Sequence, residues 1–168
     1  MKLVIRSFDL MGTEQLRPTD GVISIVTRKL QERPDNLTQH ARVCRVAFAD
    51  FGGDVQRMLV KRSPSFTAYC PMTQDDARAI FDFVVSMTDV RHVTPTNEMT
   101  RCFVHCEAGV SRSPAVAFAL AAVFGWEPSA HDIVQLYPCM NMHVVNTMLT
   151  TWQRIHHAFD GTEPEPIF

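Results

Sequence analysis

Three features are scarce in this chain of 168 residues: long apolar runs, paired cysteines and an excess of charge of one sign. No apolar run reaches the roughly 18 residues that a membrane-spanning helix needs. Lys2 and Arg6 interrupt the apolar residues at the start, so we expect no secretory signal. The formal net charge of −2 gives no reason to expect nucleic acid or an anionic membrane as a partner.

The number and spacing of the cysteines argue against a disulfide-rich protein and against a zinc-binding one. There are five, an odd number, and none forms a CxxC pair. We therefore expect no disulfide framework, and a reducing, cytoplasmic setting is the better interpretation. Cys102, His105 and Cys106 come nearest to a metal-ligand cluster, but two of them are adjacent and no second ligand pair has zinc-like spacing. We expect neither a metal nor a cofactor.

The rest of the composition, 46% hydrophobic and 20% charged, is that of an ordinary globular domain. Strands are predicted where β-branched apolar residues cluster, at residues 2–8, 21–27, 42–48 and 102–104. Helices are predicted where apolar residues recur at helical spacing or follow a capping residue, from residues 73, 114, 128 and 142. Polar loops are predicted at residues 28–39 and 91–100, whereas residues 55–70 have no readable pattern.

This order of elements predicts an α/β fold. We expect a single domain over residues 1–168, in which helices flank a central, mostly parallel sheet, with an unstructured tail at residues 160–168. A ligand-binding loop between a central strand and a helix N-terminus would lie at the carboxyl edge of such a sheet.

One segment carries most of the functional signal. Cys106 and Arg112 enclose five residues, Glu107-Ala108-Gly109-Val110-Ser111, and we call residues 106–112 the CX5R loop. It stands between a predicted strand and a predicted helix, where unpaired backbone N–H groups and the helix dipole favour an anion. The same dipoles favour a thiolate, and a guanidinium at the end of the loop fits two oxygens of a phosphate.

Each of these residues could instead have a purely structural role. Cys106 could be a buried structural cysteine, Arg112 a surface arginine, and Ser113 a residue that starts a helix. The apolar run, however, ends at Val104, and polar and small residues surround the thiol. Gly109 permits a backbone turn that brings N–H groups to one point, and Ser113 can donate a hydrogen bond to a thiolate.

With His105 before it and Ser113 after it, this loop resembles the active-site signature of the cysteine-dependent protein tyrosine phosphatases. The sequence Ala-Gly-Val-Ser-Arg-Ser-Pro at residues 108–114 resembles that of the dual-specificity branch in particular. The resemblance implies that Cys106 attacks phosphorus to form a phosphocysteine, while Arg112 and the backbone amides of residues 107–112 hold the phosphate oxygens. It also implies that Ser113 assists departure of the thiolate and that His105 orients the cysteine.

The resemblance further implies an aspartic acid that protonates the leaving group. The spacing usual in compact members of the family points to Asp75 and Asp76, which also fit a helix start for capping reasons alone. If residues 55–70 are an insertion, Asp50 takes the position of the acid. We rank Asp50 first and Asp54 second, because both follow a strand end in a loop that can approach a substrate.

None of the four inner loop positions filled by Glu107, Ala108, Val110 and Ser111 is basic, which favours a phosphate monoester over a polyphosphorylated ligand. The expected partner is a phosphorylated protein, with phosphotyrosine first and phosphoserine or phosphothreonine next, and we expect a monomer. Two other classes stay open: a pseudophosphatase that only binds phosphoesters, and a different thiolate enzyme such as an arsenate reductase or a sulfur transferase. Cys102 is expected to be a buried strand residue rather than a partner in a protective disulfide.

Overall fold

A computed structural model describes residues 1–27, 37, 40, 42–63, 65, 68–88 and 99–160 of the chain. The strands in this part are β1 (Lys2–Ser7), β2 (Gly21–Val26), β3 (Val43–Ala47) and β4 (Arg101–Cys106). The helices are α1 (Phe8–Gly12), α2 (Gly53–Arg62), α3 (Gln74–Thr88), α4 (Arg112–Phe124), α5 (Ala130–Leu136) and α6 (Met142–Asp160). Most of the two predicted loops, and residues 161–168 of the predicted tail, lie outside the described residues. Within the described residues, no helix has the length and apolar content needed to cross a membrane.

The strands form one sheet in the order β1-β4-β2-β3, and every pairing is parallel. The predicted α/β fold with a central parallel sheet is confirmed. β4 is internal, with Ser7 of β1 opposite Cys106 at its carboxyl end. Because all strands point the same way, the loops that follow β1, β2, β3 and β4 leave the sheet at one edge.

Helices pack on both faces of the sheet. On one face, α3, α4 and α6 cover the main core, in which Ile23, Val104 and Leu120 are fully buried. On the other face, α1 contacts β1 and β4, and a smaller cluster gathers around Met11 and Phe103. β2 is buried along its whole length, as expected for a strand covered on both sides.

Helix α4 begins two residues earlier than its predicted start at Pro114. Pro114 therefore lies in the first turn, where its missing N–H costs no helical hydrogen bond. The early start places Arg112 and Ser113 in that same turn, directly after the CX5R loop. The helix ends at Gly125, whose φ of 66° is the left-handed conformation common at a helix end.

Helices α1 and α2 were not predicted. α1 is five residues long, and its N-terminus is capped by the Ser7 side chain, which accepts from the backbone N–H of Leu10. α2 occupies the segment without a readable pattern, and each of its residues whose exposure is described, 54–62, is at least partly exposed. α1 is too short to show a helical period, and the few apolar residues of α2 recur at helical spacing within a segment that is polar on average, which does not favour a buried helix.

An ion pair holds the amino-terminal edge of the sheet. The fully buried Asp20 accepts hydrogen bonds from Arg101 Nε at 2.9 Å and Arg101 Nη2 at 2.6 Å, and from the backbone N–H of Arg17 at 2.7 Å. Burial by itself would raise the pKa of Asp20, but the hydrogen bonds from Arg101 and Arg17 outweigh it and hold that pKa below its usual 3.8.

We predict that Asp20→Asn lowers the free energy of unfolding by about 2–3 kcal/mol, because Arg101 loses its charged partner. The contribution of Asp20 is present above pH about 4 and is lost as the pH falls through its lowered pKa, so the variant should lack this acid-induced loss of stability. Urea unfolding at a series of pH values measures both effects. Asp82→Asn on the exposed side of α3 is the matched control, and an equal cost for the two variants would contradict the prediction.

Candidate active site

The thiol of Cys106 lies at the junction of β4 and the CX5R loop. Its side chain is 2% exposed, and two groups contact the sulfur. The backbone N–H of Gly109 donates to Sγ at 3.3 Å, and Ser113 Oγ lies 3.2 Å from it. Both groups can donate to a thiolate, so the surroundings of this sulfur suit a negative charge.

Gly109 allows the loop to curl against the end of β1. Its φ is +75°, and a Cβ built there would lie 2.7 Å from the backbone nitrogen of Ser7. Any other residue would therefore meet both a strained backbone and a clash with the neighbouring strand. The backbone N–H of Phe8 also donates to the Glu107 carbonyl at 3.0 Å, which fixes the other side of the turn.

Arg112 is 4% exposed and is anchored by one end of its guanidinium. Nη1 donates to Thr27 Oγ1 at 3.0 Å and to the Phe48 carbonyl at 2.9 Å, at the ends of β2 and β3. Nε is buried without a hydrogen-bond partner among the described residues, and Nη2 lies 3.7 Å from Glu107 Oε2. The guanidinium therefore has one nitrogen anchored, while Nε and Nη2 donate no hydrogen bond within the described residues. Such a group is suited to hold two oxygens of an anion.

Asp50 lies beside the loop, in the segment that follows β3. Its Oδ1 accepts from Ser111 Oγ at 2.7 Å and from Asn141 Nδ2 at 2.9 Å. Its Oδ2 accepts no hydrogen bond from the described residues, so one carboxyl oxygen is fixed and the other is available. The structure thus brings the first-ranked acid candidate to the CX5R loop, although 56 residues separate it from Cys106.

The other acid candidates lie elsewhere. Asp54 is 89% exposed in the first turn of α2 and pairs with Arg57. Asp76 accepts from the backbone N–H of Thr73 at 2.9 Å and from Thr73 Oγ1 at 2.7 Å, which is the capping interaction expected at the start of α3. Asp75 is an exposed residue in the same turn. None of the three carboxylates lines the cleft above Cys106.

That cleft has a volume of about 510 Å³. Its floor is the CX5R loop, and its walls come from the loops after β2 and β3 and from residue 69, with side chains Thr27, Ala49, Asp50, Phe51 and Tyr69. Among these lining residues, Arg112 is the one cation, whereas Asp50 and Glu107 are anionic. Two aromatic rings and a single cation suit a ligand that carries one phosphate on an aromatic or apolar group.

His105 is fully buried on the face of the sheet opposite the Cys106 side chain. Burial, assisted by the positive charge of Arg45, lowers its pKa to about 4, so the ring is neutral at pH 7. Neither ring nitrogen has a hydrogen-bond partner among the described residues. Phe8 packs near it with its ring centroid 6.4 Å away. This neutral ring contributes packing beneath the loop, and its part in orienting Cys106 stays a prediction.

Cys102 is also fully buried in β4, four residues before Cys106. Four residues of strand span about 13 Å, whereas a disulfide needs its Cα atoms within about 7 Å. Burial, with Cys44 nearby, raises the pKa of the Cys102 thiol to about 12. It is therefore an unreactive core residue and not a resolving cysteine in this structure. No three His, Cys, Asp or Glu side chains of the described part are grouped to hold a metal ion.

Sequence reasoning missed the residue that holds Asp50. Asn141 precedes α6, and its Oδ1 accepts from the backbone N–H of His143 at 3.0 Å while its Nδ2 donates to Asp50. Its own backbone N–H donates to the Ser111 carbonyl at 3.3 Å. An asparagine just before a predicted helix is a visible capping signal, but its bond to a carboxylate 91 residues away is not.

Comparison with known proteins adds little to these observations. No family model matches the chain, and no curated protein matches it at a significant level. Among solved structures, a similar one is the crystal structure of the human tyrosine phosphatase-like serine/threonine/tyrosine-interacting protein. The identity is 16% and the TM-score 0.48, over 82% of this chain and 79% of that one. The layout that the loop's resemblance implies, a parallel sheet with the CX5R loop between β4 and α4, is present in the structure itself.

We predict that inorganic phosphate binds this cleft and protects Cys106 from alkylation by iodoacetamide. Arg112→Lys should weaken phosphate binding by roughly tenfold or more, because an ammonium group cannot supply two parallel N–H donors. Mass mapping of alkylated peptides over a phosphate titration measures both. Cys139, an exposed free thiol, is the internal control and should react at the same rate throughout. Equal protection of both cysteines would contradict the prediction.

The buried His105 gives a prediction for how the free energy of unfolding depends on pH. The native pKa of His105 is about 4 and its ordinary value 6.5, so between these pH values the unfolded chain binds a proton that the folded chain does not. The free energy of unfolding should therefore fall by roughly 3 kcal/mol as the pH falls from 6.5 to 4. His105→Gln should flatten this slope in urea titrations, whereas His131→Gln, at an exposed position, should keep it.

Proposed function

We propose that this protein is a cysteine-dependent phosphatase that hydrolyses phosphate monoesters on proteins. Phosphotyrosine is the first expected substrate, with phosphoserine and phosphothreonine next. The observation that carries the proposal is the meeting of Cys106, Arg112 and Asp50 around one cleft, because these supply a nucleophile, an anion clamp and a proton donor.

The proposed phosphate site lies above Cys106. Backbone N–H groups of residues 107–112 and the unfilled Nε and Nη2 of Arg112 would hold the three non-bridging oxygens. These groups are fixed before substrate arrives, since Arg112 is anchored to Thr27 and Phe48 and the loop is anchored to β1. Donors that need no reorganisation stabilise the charge of the transition state most effectively.

In the first proposed step, the Cys106 thiolate attacks phosphorus as the bond to the ester oxygen breaks. Asp50 transfers its proton to that oxygen, so the alcohol or phenol leaves neutral. In the second step, Asp50 accepts a proton from water, the water oxygen attacks the phosphocysteine, and the sulfur departs as thiolate. The hydroxyl of Ser113, 3.2 Å from the sulfur, would donate to the departing thiolate.

The charges around the cleft support a monoester as substrate. Asp50 and the 69% exposed Glu107 stand near Arg112, the one cation among the described lining residues, so a ligand with several phosphates would meet two carboxylates. Phe51 and Tyr69 provide aromatic walls against which a phenyl group can pack. These features favour phosphotyrosine among the protein monoesters.

The test is hydrolysis of p-nitrophenyl phosphate and phenyl phosphate by the wild type, Cys106→Ser and Asp50→Asn. Cys106→Ser should abolish turnover. Asp50→Asn should slow phenyl phosphate, which has the poorer leaving group, by roughly 10²- to 10⁴-fold, should affect p-nitrophenyl phosphate less, and should remove the fall in rate at high pH.

Asp54→Asn is the matched control, because Asp54 lies four residues further along the chain but is exposed and paired with Arg57. Its kinetics should equal those of the wild type. If the wild type binds a phosphopeptide but hydrolyses neither ester, the protein is a phosphoester-binding pseudophosphatase and the proposal is wrong. Sulfur transfer from thiosulfate would assign it to the other class of thiolate enzymes.

A further inference from the structure

Helix α2 stands at the wall of the cleft. It begins two residues after Phe51, which lines the cleft, and its Gln56 side chain donates to the carbonyl of Tyr69, another lining residue, at 2.7 Å. The start of α2 is thereby fixed beside the place where a substrate would enter.

The outer face of α2 combines positive charge with exposed apolar side chains. Arg57 and Lys61 are one turn apart in one row, and Met58 and Arg62 are one turn apart in the next. Val55 and Met58 are 40% and 51% exposed. We call these five residues, Val55, Arg57, Met58, Lys61 and Arg62, the α2 outer face.

Helix stability explains part of this face. Lys61 and Arg62 lie in the last turn, where cations complement the helix dipole, and Arg57 pairs with Asp54 one turn before it. Neither effect accounts for the solvent-exposed apolar side chains of the face. Lys61 and Arg62 form no ion pair within the described residues, so their charges are available to a partner.

We propose that the α2 outer face binds an acidic segment of the phosphoprotein substrate, next to the phosphorylated residue. This inference rests on the proposed function. Charge complementarity and the position of α2 beside the cleft favour this partner, because Phe51 lies two residues before the helix and Gln56 is bonded to Tyr69. Among the described residues that line the cleft, Asp50 and Glu107 are acidic, whereas α2 carries exposed cations that suit an acidic flank.

The helix geometry gives the position of the acidic residues. Lys61 and Arg62 are eight and nine residues after Gly53, or about 12–14 Å along the helix. An extended peptide covers about 3.3 Å per residue. A peptide that runs along α2 from its start therefore needs about four residues to reach Lys61 and Arg62, and we assign the acidic side chains to these positions.

The experiment compares two phosphotyrosine peptides that differ in having Glu or Lys three to five positions from the phosphotyrosine. For the wild type, KM should be lower for the acidic peptide, and 0.5 M NaCl should reduce the difference. In Lys61→Glu/Arg62→Glu, KM for the acidic peptide should rise by roughly tenfold and KM for the basic peptide should fall, with kcat unchanged. The KM for p-nitrophenyl phosphate should stay the same, because this ester does not reach α2.

Two control variants accompany this experiment. Lys61→Gln/Arg62→Gln removes the cations without adding acidic residues at the helix C-terminus, and it should give a smaller change in the same direction. Lys2→Glu alters an exposed cation at the opposite edge of the sheet and should change neither KM. Equal KM values for the two peptides in the wild type, or an equal response to Lys2→Glu, would overturn the inference.

Two further outcomes separate the proposals. If no ester is hydrolysed, the proposed function fails, and fluorescence anisotropy of the two peptides on Cys106→Ser still tests docking directly. If vesicles that contain phosphatidylserine bind the wild type but not Lys61→Glu/Arg62→Glu, while both peptides bind equally, the face binds a membrane surface and the inference is wrong.

Discussion

The parallel pairing of β4 between β1 and β2 is the constraint on which the site depends. It brings the ends of β1 and β4 together, so that Cys106 lies opposite Ser7. The turn after Cys106 then has no room for a side chain at residue 109, where a Cβ would meet the Ser7 backbone. The loop curls so that the Gly109 N–H points at the Cys106 sulfur, and helix α4 begins at Arg112. A loop suited to an anion at this point is a consequence of the strand order as much as of the loop sequence.

The charged side chains of the site, Arg112 and Asp50, are held at this same carboxyl edge of the sheet. Arg112 is bound to the ends of β2 and β3, so its guanidinium keeps one orientation before any anion arrives. Asp50 is bound through one oxygen to Ser111 and Asn141, which links the acid to the loop and to the start of α6. Glu107 is only 3.7 Å from Arg112, so the described residues that line the cleft have a low net charge. The proposed binding of phosphate would therefore depend on geometry more than on a strong positive field.

Much of this arrangement could be predicted from local sequence. The β-branched runs gave the strands, and the polar break after Val104, followed by Gly109 and an alanine-rich helix, gave the CX5R loop. Asp50 was ranked first because it follows a strand end. Its bond to Asn141 spans 91 residues, and no local pattern encodes such a contact. α2 was missed because its apolar residues, although spaced as in a helix, are few in a segment that is polar on average, and none of its side chains at 54–62 is buried.

The exposure of α2 bears on how the helix is joined to the cleft. Asp50 is three residues before the helix. Within the described residues, side chains 54–62 are all at least partly exposed, and Gln56 holds the helix through its hydrogen bond to the carbonyl of residue 69. An element with so little buried surface opens at low free-energy cost. Asp50 is held separately, by Ser111 and Asn141, so a partner that binds α2 can change the affinity for a peptide without displacing this carboxylate.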